Sequence, residues 1–407
     1  MPNEPNIAGG GAAPEPQPWG DRSPILASCI AYIAYYAVLG FHTPFFPVWL
    51  RARSLSETEI VWVMALPMIL RFLVTPLVGR WADDAPDRRR LLAVLLSLTL
   101  VLAVALSQAS RFWPILALTT LMMLVWQSVS PVIDATVVSL VRRGIARDFG
   151  RIRLWGSLSF AVIAVGGGFL LAAGGPDAVF RGFLVMIVLM LGCAALLPSA
   201  APAEARAGAG PLNLAGRPEL LVVFVAVALI FASQAALNSF SSVHWLALGY
   251  PDWSVGLLWT VGVIAEIAMF WLGPQALARF GPFGLLVIAA VGTAIRWLAM
   301  GVDPPILVTV LLQTLHAATL SASYLGLMAF VQRLVEEEAG ARAQSVFVTL
   351  SGLMMAAATL AIGPIYRMLG GGAFAVSAVL PLLALALLFA RRTALTRPRR
   401  PEPKGAA

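Results

Sequence analysis

The sequence predicts an all-α membrane protein whose twelve transmembrane helices form two six-helix bundles. Composition, the spacing of apolar runs and a weak internal repeat carry this expectation. Hydrophobic residues make up 59% of the chain and charged residues 12%, whereas a water-soluble domain has about 25% charged residues. Mean hydropathy is +0.85. A bilayer core about 30 Å thick takes roughly 20 apolar residues per helix. Runs of that kind fall at 24–49, 58–80, 91–108, 113–140, 152–173, 179–197, 219–246, 254–273, 283–300, 305–332, 343–368 and 372–390. After the first run, VWL at 48–50 leads through LSETEI at 55–60 into the second; after the seventh, HWL at 244–246 leads through YPDWSV at 250–255 into the eighth. Aligning Ile60 with Val255 sets Arg71 opposite Glu266, as two parallel six-helix repeats would.

Taken in order, residues 1–22 are rich in Pro, Gly and Ala and lack the basic start and apolar centre of a secretion signal. They are expected to form a disordered cytoplasmic tail. Residues 23–198 then make the N-terminal bundle, 199–217 a cytoplasmic central loop of Pro, Gly and Ala, 218–391 the C-terminal bundle, and 392–407 a basic cytoplasmic tail. Small residues recur at four-residue spacing in the fifth span (Ser157 and Ala161, Ala164 and Gly168) and the eleventh (Gly352 and Ala356). Static close packing of helices suffices to explain them.

The net charge of +8 reports topology. Of the 28 Lys and Arg residues, 20 fall in the loops and tails on one side, 5 on the other, and Arg71, Arg153 and Arg296 within spans. That bias places both termini in the cytoplasm of a multi-pass protein of the inner (plasma) membrane, with the basic side against anionic lipid and no nucleic-acid partner. Cys29 and Cys193 lie in separate spans and read as small packing residues. No nucleophile–base set, metal-ligand cluster or phosphate-binding loop is present, so neither an enzyme nor a metal site is expected.

A charge in hydrocarbon is costly and marks function by default. Six such residues stand within the spans: Arg71, Asp134, Arg153, Glu266, Arg296 and His316. At 1.5 Å per residue, Glu266 and His316 each lie roughly 18 Å from the outer surface, and the long side chain of Arg296 reaches inward from roughly 8 Å. The three are expected to meet near the midplane, where a histidine beside a carboxylate and a guanidinium handles protons; a hydrogen-bonded packing histidine is the competing account. In the first half, Arg153 is the nearest partner for Asp134, as a substrate site or a structural ion pair. Arg71, about fourteen residues into its span, is expected to meet a ligand carboxylate. Three arginines against two acids, with His316 neutral, favour an anion. The first span adds Tyr32, Tyr35, Tyr36, Phe41, His42, Phe45, Phe46 and Trp49, so the cavity is expected to be aromatic, with Phe46 and Trp49 assigned to the interfacial belt.

The loop GRWADDAPDRRR, from Gly79 through Asp83 to Arg88 and beyond, resembles the signature of the major facilitator superfamily, with one extra residue before the arginines. The corresponding stretch of the second half, GPQALARFG at 273–281, lacks the acid. The runs DFGRIRLWGS (148–157), Val255-Gly256 with Val263-Ile264-Ala265-Glu266, AIRWLAMG (294–301) and LQTLH (312–316) resemble the phenylpropionic acid transporter family and, more distantly, lactose permease and its oligosaccharide:proton relatives. The resemblance implies the major facilitator fold, Arg153 as a substrate-contacting arginine with Asp134 its partner, and Arg296 and His316 on a proton pathway. Thr319 stands where the permease has its coupling glutamate, and Val263 where it has a sugar-recognising one. Glu266 fits the phenylpropionate family instead. The expected function is proton-coupled uptake of a small organic acid, aromatic in one reading, by alternating access. Arg71, Arg153, Asp134 and Tyr36 bind substrate; Glu266, His316 and Arg296 couple protons; Gly79, Asp83 and Arg88 form the conformational loop. The proton gradient serves in place of a cofactor. A sugar:proton symporter, a drug or metabolite exporter and a non-transporting receptor are the alternatives.

Overall fold

In the computed structural model of the protein, residues 24–84, 88–142, 144–145, 148–197, 216–336 and 339–397 are described, without the side chains of 72–84, 88, 142 and 341. The expected N-terminal tail, most of the central loop and residues 398–407 lie outside them. So do the side chains of Gly79, Asp83 and Arg88.

The described chain is helical throughout: α1 (Pro24–Ala52), α2 (Glu57–Asp84), α3 (Arg88–Ser107), α4 (Phe112–Trp126), α5 (Val129–Arg142), α6 (Phe149–Ala194), α7 (Pro218–Ala232), α8 (Ala235–Ala247), α9 (Asp252–Trp271), α10 (Gly273–Met300), α11 (Ile306–Thr314), α12 (Ser323–Leu334), α13 (Gly340–Leu369), α14 (Gly372–Ser377), α15 (Val379–Ala390) and α16 (Arg392–Thr396). A π-helical turn, Ala318–Ala322, joins α11 to α12. Ten helical segments are long and apolar enough to cross a bilayer. One of them, α6, holds 46 residues, about 69 Å at the helical rise, and so crosses twice. With α2 the crossings number twelve.

Glycine–proline pairs make two of the corners. Gly175 (φ 69°) breaks α6 and Gly281 (φ 65°) breaks α10, each in the left-handed region, and Pro176 and Pro282 follow. Glycine reaches that conformation without steric cost, and proline suits the first turn of the next helix. The stretch 273–281, expected as a loop, is therefore helical up to Phe280. It prolongs α9 much as the end of α2 prolongs its own span. The expected C-terminal tail likewise begins as a helix: Leu395 is fully buried, and Arg333 donates to its carbonyl at 2.6 Å.

The end where α1 meets α2, which the charge bias is expected to turn outward, is called the outer end. The two halves touch closely there. A Cβ on Gly256 of α9 would stand 1.8 Å from the Ala164 carbonyl oxygen of α6, and one on Gly168 would stand 2.5 Å from that of Trp253. Thr260 donates to the Ala161 carbonyl at 2.9 Å. On the other flank, a Cβ on Gly363 of α13 would stand 2.6 Å from Val61 of α2. The small residues of the fifth span thus pack against the opposite half, where small side chains let backbones approach. Farther inward, Arg153 and Trp155 of α6 and Ile264 of α9 are exposed. The two halves are packed together at the outer end, and Arg153 lies exposed farther along. Phe46 and Trp49, expected in the interfacial belt, are instead buried, and Trp49 stacks on Phe180 at 4.5 Å. Exposed apolar side chains such as Val94, Val101 and Phe169 supply the surface that lipid covers.

Candidate functional site

Among the described residues, the crossings α4–α5, α7–α8, α11–α12 and α14–α15 each carry a one- or two-residue turn, and in the first three a glutamine lies at the turn or within two residues of it. Gln127 ends α4, Gln234 precedes α8, and Gln313 lies in the last turn of α11, just before the π-helical turn. The backbone at Gln127, Gln234 and Leu315 stays in the right-handed helical region, so these are tightened turns and not unwound segments. Each half also pairs an arginine with one of these amides: Arg71 Nη1 lies 3.5 Å from Gln127 Oε1, and Arg296 Nη1 lies 3.3 Å from Gln234 Oε1.

The C-terminal half holds the denser network. Arg296 is fully buried; its Nη1 donates to His316 Nδ1 at 3.2 Å and its Nη2 to Gln313 Oε1 at 2.6 Å. Gln313 donates in turn to the Leu258 carbonyl of α9 at 3.0 Å. The guanidinium also lies 4.6 Å from the centre of the Trp297 ring. Among the described residues no carboxylate lies within ion-pair distance of Arg296. Its charge is met by amides, an imidazole and an indole face, which spread it without neutralising it. On the far side of the imidazole, His316 Nε2 lies 3.8 Å from Glu266 Oε2, and the Glu266 side chain keeps 29% of its exposure. Arg296, His316 and Glu266 therefore form a continuous file, as the depth estimate expected. Gly262 makes room for it, since a Cβ there would stand 3.3 Å from the His316 side chain.

In the N-terminal half, the expected direct pair of Asp134 and Arg153 does not form. Asp134 accepts from the Tyr32 hydroxyl at 2.5 Å and from Ser130 at 3.2 Å. Arg153 donates from Nε and Nη2 to the Tyr36 hydroxyl at 3.2 and 3.1 Å. The reason is steric: the Tyr36 ring lies on Gly156, where a Cβ would stand 2.5 Å away, and this sets its hydroxyl beside Arg153. Arg153 remains within electrostatic reach of Asp134 and, across the cleft, of Glu266. An exposed guanidinium held by a phenol thus has one carboxylate from each half within electrostatic reach. Tyr35 stacks on Trp126 at 4.8 Å and 2°, and its edge meets Tyr36 at 5.4 Å; Tyr35 and Trp126 are buried, and Tyr36 is partly exposed.

The glutamines and the stacked Trp126 escaped the sequence reading, which sought ionisable side chains and the aromatics of the first span; the contact of Tyr32 with Asp134 was not foreseen. Cys29 and Cys193 are unpaired. Arg71 lies in α2 and contacts Gln127, whereas Glu266, its counterpart in the repeat, contacts His316.

A helical membrane protein of two such halves, with a charged cleft between them, is built as a secondary transporter. The chain belongs to the MFS_1 like family, whose profile matches residues 26–376. It is 28% identical over 375 residues to the probable 3-phenylpropionic acid transporter of Escherichia coli (strain K12), covering 88% of this chain and 95% of that one. It is 27% identical over 340 residues to the maltose permease of Geobacillus stearothermophilus, with 82% and 84% covered. The likeness to lactose permease of Citrobacter freundii is more distant, 22% over 361 residues, with 82% and 85% covered. The fold is also that of the nucleoside transporter NupG, with a TM-score of 0.75 at 16% identity over 93% of this chain and 100% of that one. These relatives are transporters of small molecules, not enzymes.

Proposed function

We propose that the protein takes up a small organic acid, with an aromatic carboxylate as its cargo, in symport with a proton. The observation that carries this reading is the position of Arg153. Its guanidinium is exposed in the cleft, bound to a neutral phenol, and within electrostatic reach of Glu266 from the opposite half. A cargo carboxylate entering between them gains a two-pronged hydrogen-bonding partner in Arg153 and repels the Glu266 carboxylate. Protonating Glu266 removes that repulsion, so anion and proton bind together. The partly exposed Tyr36, backed by the buried Tyr35 and Trp126, offers an aromatic surface to a ring. Asp134 orients Tyr32, and Arg71 with Gln127 closes the first-half wall of the site. Arg296 holds His316 so that the ring passes protons to and from Glu266. The gradient of protons supplies the energy, and the charge bias sets both termini in the cytoplasm of the inner membrane. The identity to a phenylpropionate transporter over nearly its whole length supports an acid as cargo.

The test uses protein reconstituted into vesicles, with external pH recorded as a panel of aromatic acids, aliphatic acids, maltose and lactose is added. Alkalinisation with aromatic acids, absent from protein-free vesicles, is expected. A response to the sugars alone would transfer the protein to the sugar:proton symporters, a reading that the maltose permease relative supports. Acid uptake without proton movement would remove the coupling.

A further inference from the structure

The π-helical turn Ala318–Ala322 follows closely on His316. We propose that this turn presents Ser321 as the positioning residue of the Arg296–His316–Glu266 file: Ser321 holds the backbone of Glu266 so that its carboxylate meets the His316 ring. The consequence for coupling rests on the reading of that file as a proton path, whereas the positioning itself does not.

Register explains the turn. Ser321 stands five residues after His316. In an unbroken α-helix five residues make about 1.4 turns, which sets two such side chains on different flanks. A π-turn bonds residue i to residue i+5 and so brings the pair back toward one face. Both residues reach the same partner on α9: His316 Nε2 lies 3.8 Å from Glu266 Oε2, and Ser321 Oγ donates to the Glu266 backbone carbonyl at 3.1 Å. That carbonyl oxygen has two lone pairs, so it accepts the serine beside the N–H of its own helix.

Ser321 departs from the habit of hydroxyls inside helices, which turn back onto a carbonyl three or four residues earlier. Thr319 follows that habit and donates to the Leu315 carbonyl at 3.2 Å. Ser321, fully buried, reaches across to α9 instead. In the same turn Thr319 accepts from Thr293 of α10 at 3.0 Å. The turn is thus gripped by α9 on one side and α10 on the other. A wide turn needs room, and Gly292 of α10 supplies it, since a Cβ there would stand 2.9 Å from that of Ala318. On α9, Gly262 lies against the His316 side chain and Glu266, one turn later, against Ser321. The ring and the hydroxyl therefore fix α9 at two successive points, and the second of them sets where the Glu266 side chain begins. A π-turn has poorer regularity than the helix it interrupts and occurs mostly at functional sites. Here the contact it provides falls on the residue that faces the imidazole.

The experiment reads the His316–Glu266 contact directly and needs no cargo. Protein in lipid bilayers, labelled with 15N in the histidine rings and 13C at the glutamate carboxyl carbon, is measured by solid-state NMR for dipolar coupling between the two labels. The chain has three histidines; His244 meets an aspartate, Asp303, which carries no label, and loss of the signal in His316→Asn assigns it. Ser321→Ala is expected to lose the coupling, and Ser321→Thr, which keeps the hydroxyl, to retain it. In vesicles with 3-phenylpropionate as the probe, proton-driven accumulation by Ser321→Ala should fall about tenfold, the order of effect that a small misplacement produces, with KM and counterflow unchanged. A dipolar contact in Ser321→Ala as strong as the parent's, or none in the parent, overturns the proposal. Loss of the contact with accumulation intact upholds the positioning and overturns the proton-path reading of the file instead.

Discussion

Arg296 donates from Nη1 to His316 Nδ1 across 3.2 Å, and this contact fixes the tautomer of the ring. A guanidinium has donors alone, so Nδ1 accepts and Nε2–H points at Glu266 Oε2, 3.8 Å away. Small motion closes that gap to a hydrogen bond, giving Glu266 a partner through which protons enter and leave. Glu266→Gln keeps the shape and removes the exchangeable charge. Accumulation of cargo against a gradient should fall to background while equilibrium counterflow continues, because Arg153 and Tyr36 are untouched. Accumulation at the parent's level would remove Glu266 from the coupling.

Gln313 is the strongest fastening of Arg296. It accepts from Nη2 at 2.6 Å and donates to the Leu258 carbonyl at 3.0 Å, joining α10 and α11 to α9. Gln313→Leu leaves a buried cationic donor and a buried carbonyl without these partners. A hydrogen bond to a charged group contributes about 1.5–3 kcal/mol, so a clear fall in the apparent Tm of the purified protein is expected. An unchanged Tm would mean that the Arg296 contact contributes nothing to the fold.

Tyr36 holds Arg153 through a single oxygen that accepts two N–H groups. Tyr36→Phe keeps the ring against Gly156 and frees the guanidinium to move. The apparent KM for the carboxylate should rise about tenfold, the effect of losing about 1.4 kcal/mol of positioning from the two shared N–H contacts, with little change in maximal rate. Arg153→Lys, which loses the planar fork, should do more damage. A larger defect in Tyr36→Phe than in Arg153→Lys would show that the phenol itself carries the recognition.

Depth was legible in the sequence, and azimuth was not. Helical rise alone fixes how far Glu266, Arg296 and His316 lie from the surface, so their meeting was foreseeable. Which face of a helix a residue occupies depends on tertiary packing, and this is where the Asp134–Arg153 pairing failed: Tyr32 reaches Asp134 first, and Gly156 lets Tyr36 settle beside Arg153. The turns at Gln127, at Gln234 and two residues past Gln313 lie inside unbroken apolar runs, which gave no sign of them. An uncharged polar residue in each was the available signal. Phe46 and Trp49 were misplaced for a related reason, since an aromatic near the bilayer edge has the same hydropathy whether it faces lipid or, as here, Phe180.

The outer seal rests on Gly256. A Cβ there would lie 1.8 Å from the Ala164 carbonyl oxygen, well inside contact distance, and the opposing atom is backbone within a helix, which cannot rotate away as a side chain can. Gly256→Ala therefore forces α9 and α6 apart and strains the neighbouring bond from Thr260 to Ala161. The conformation shown is disfavoured and the outward-open one is favoured, because each halfway arrangement keeps the clash. Uptake should drop severely while the protein stays folded, and a cysteine placed at Trp253, against Gly168 in the closed form, should react faster with an impermeant thiol reagent from the outer side. An Ala variant with the parent's labelling rate and uptake would show that the two helices separate freely at this crossing and that the seal lies elsewhere.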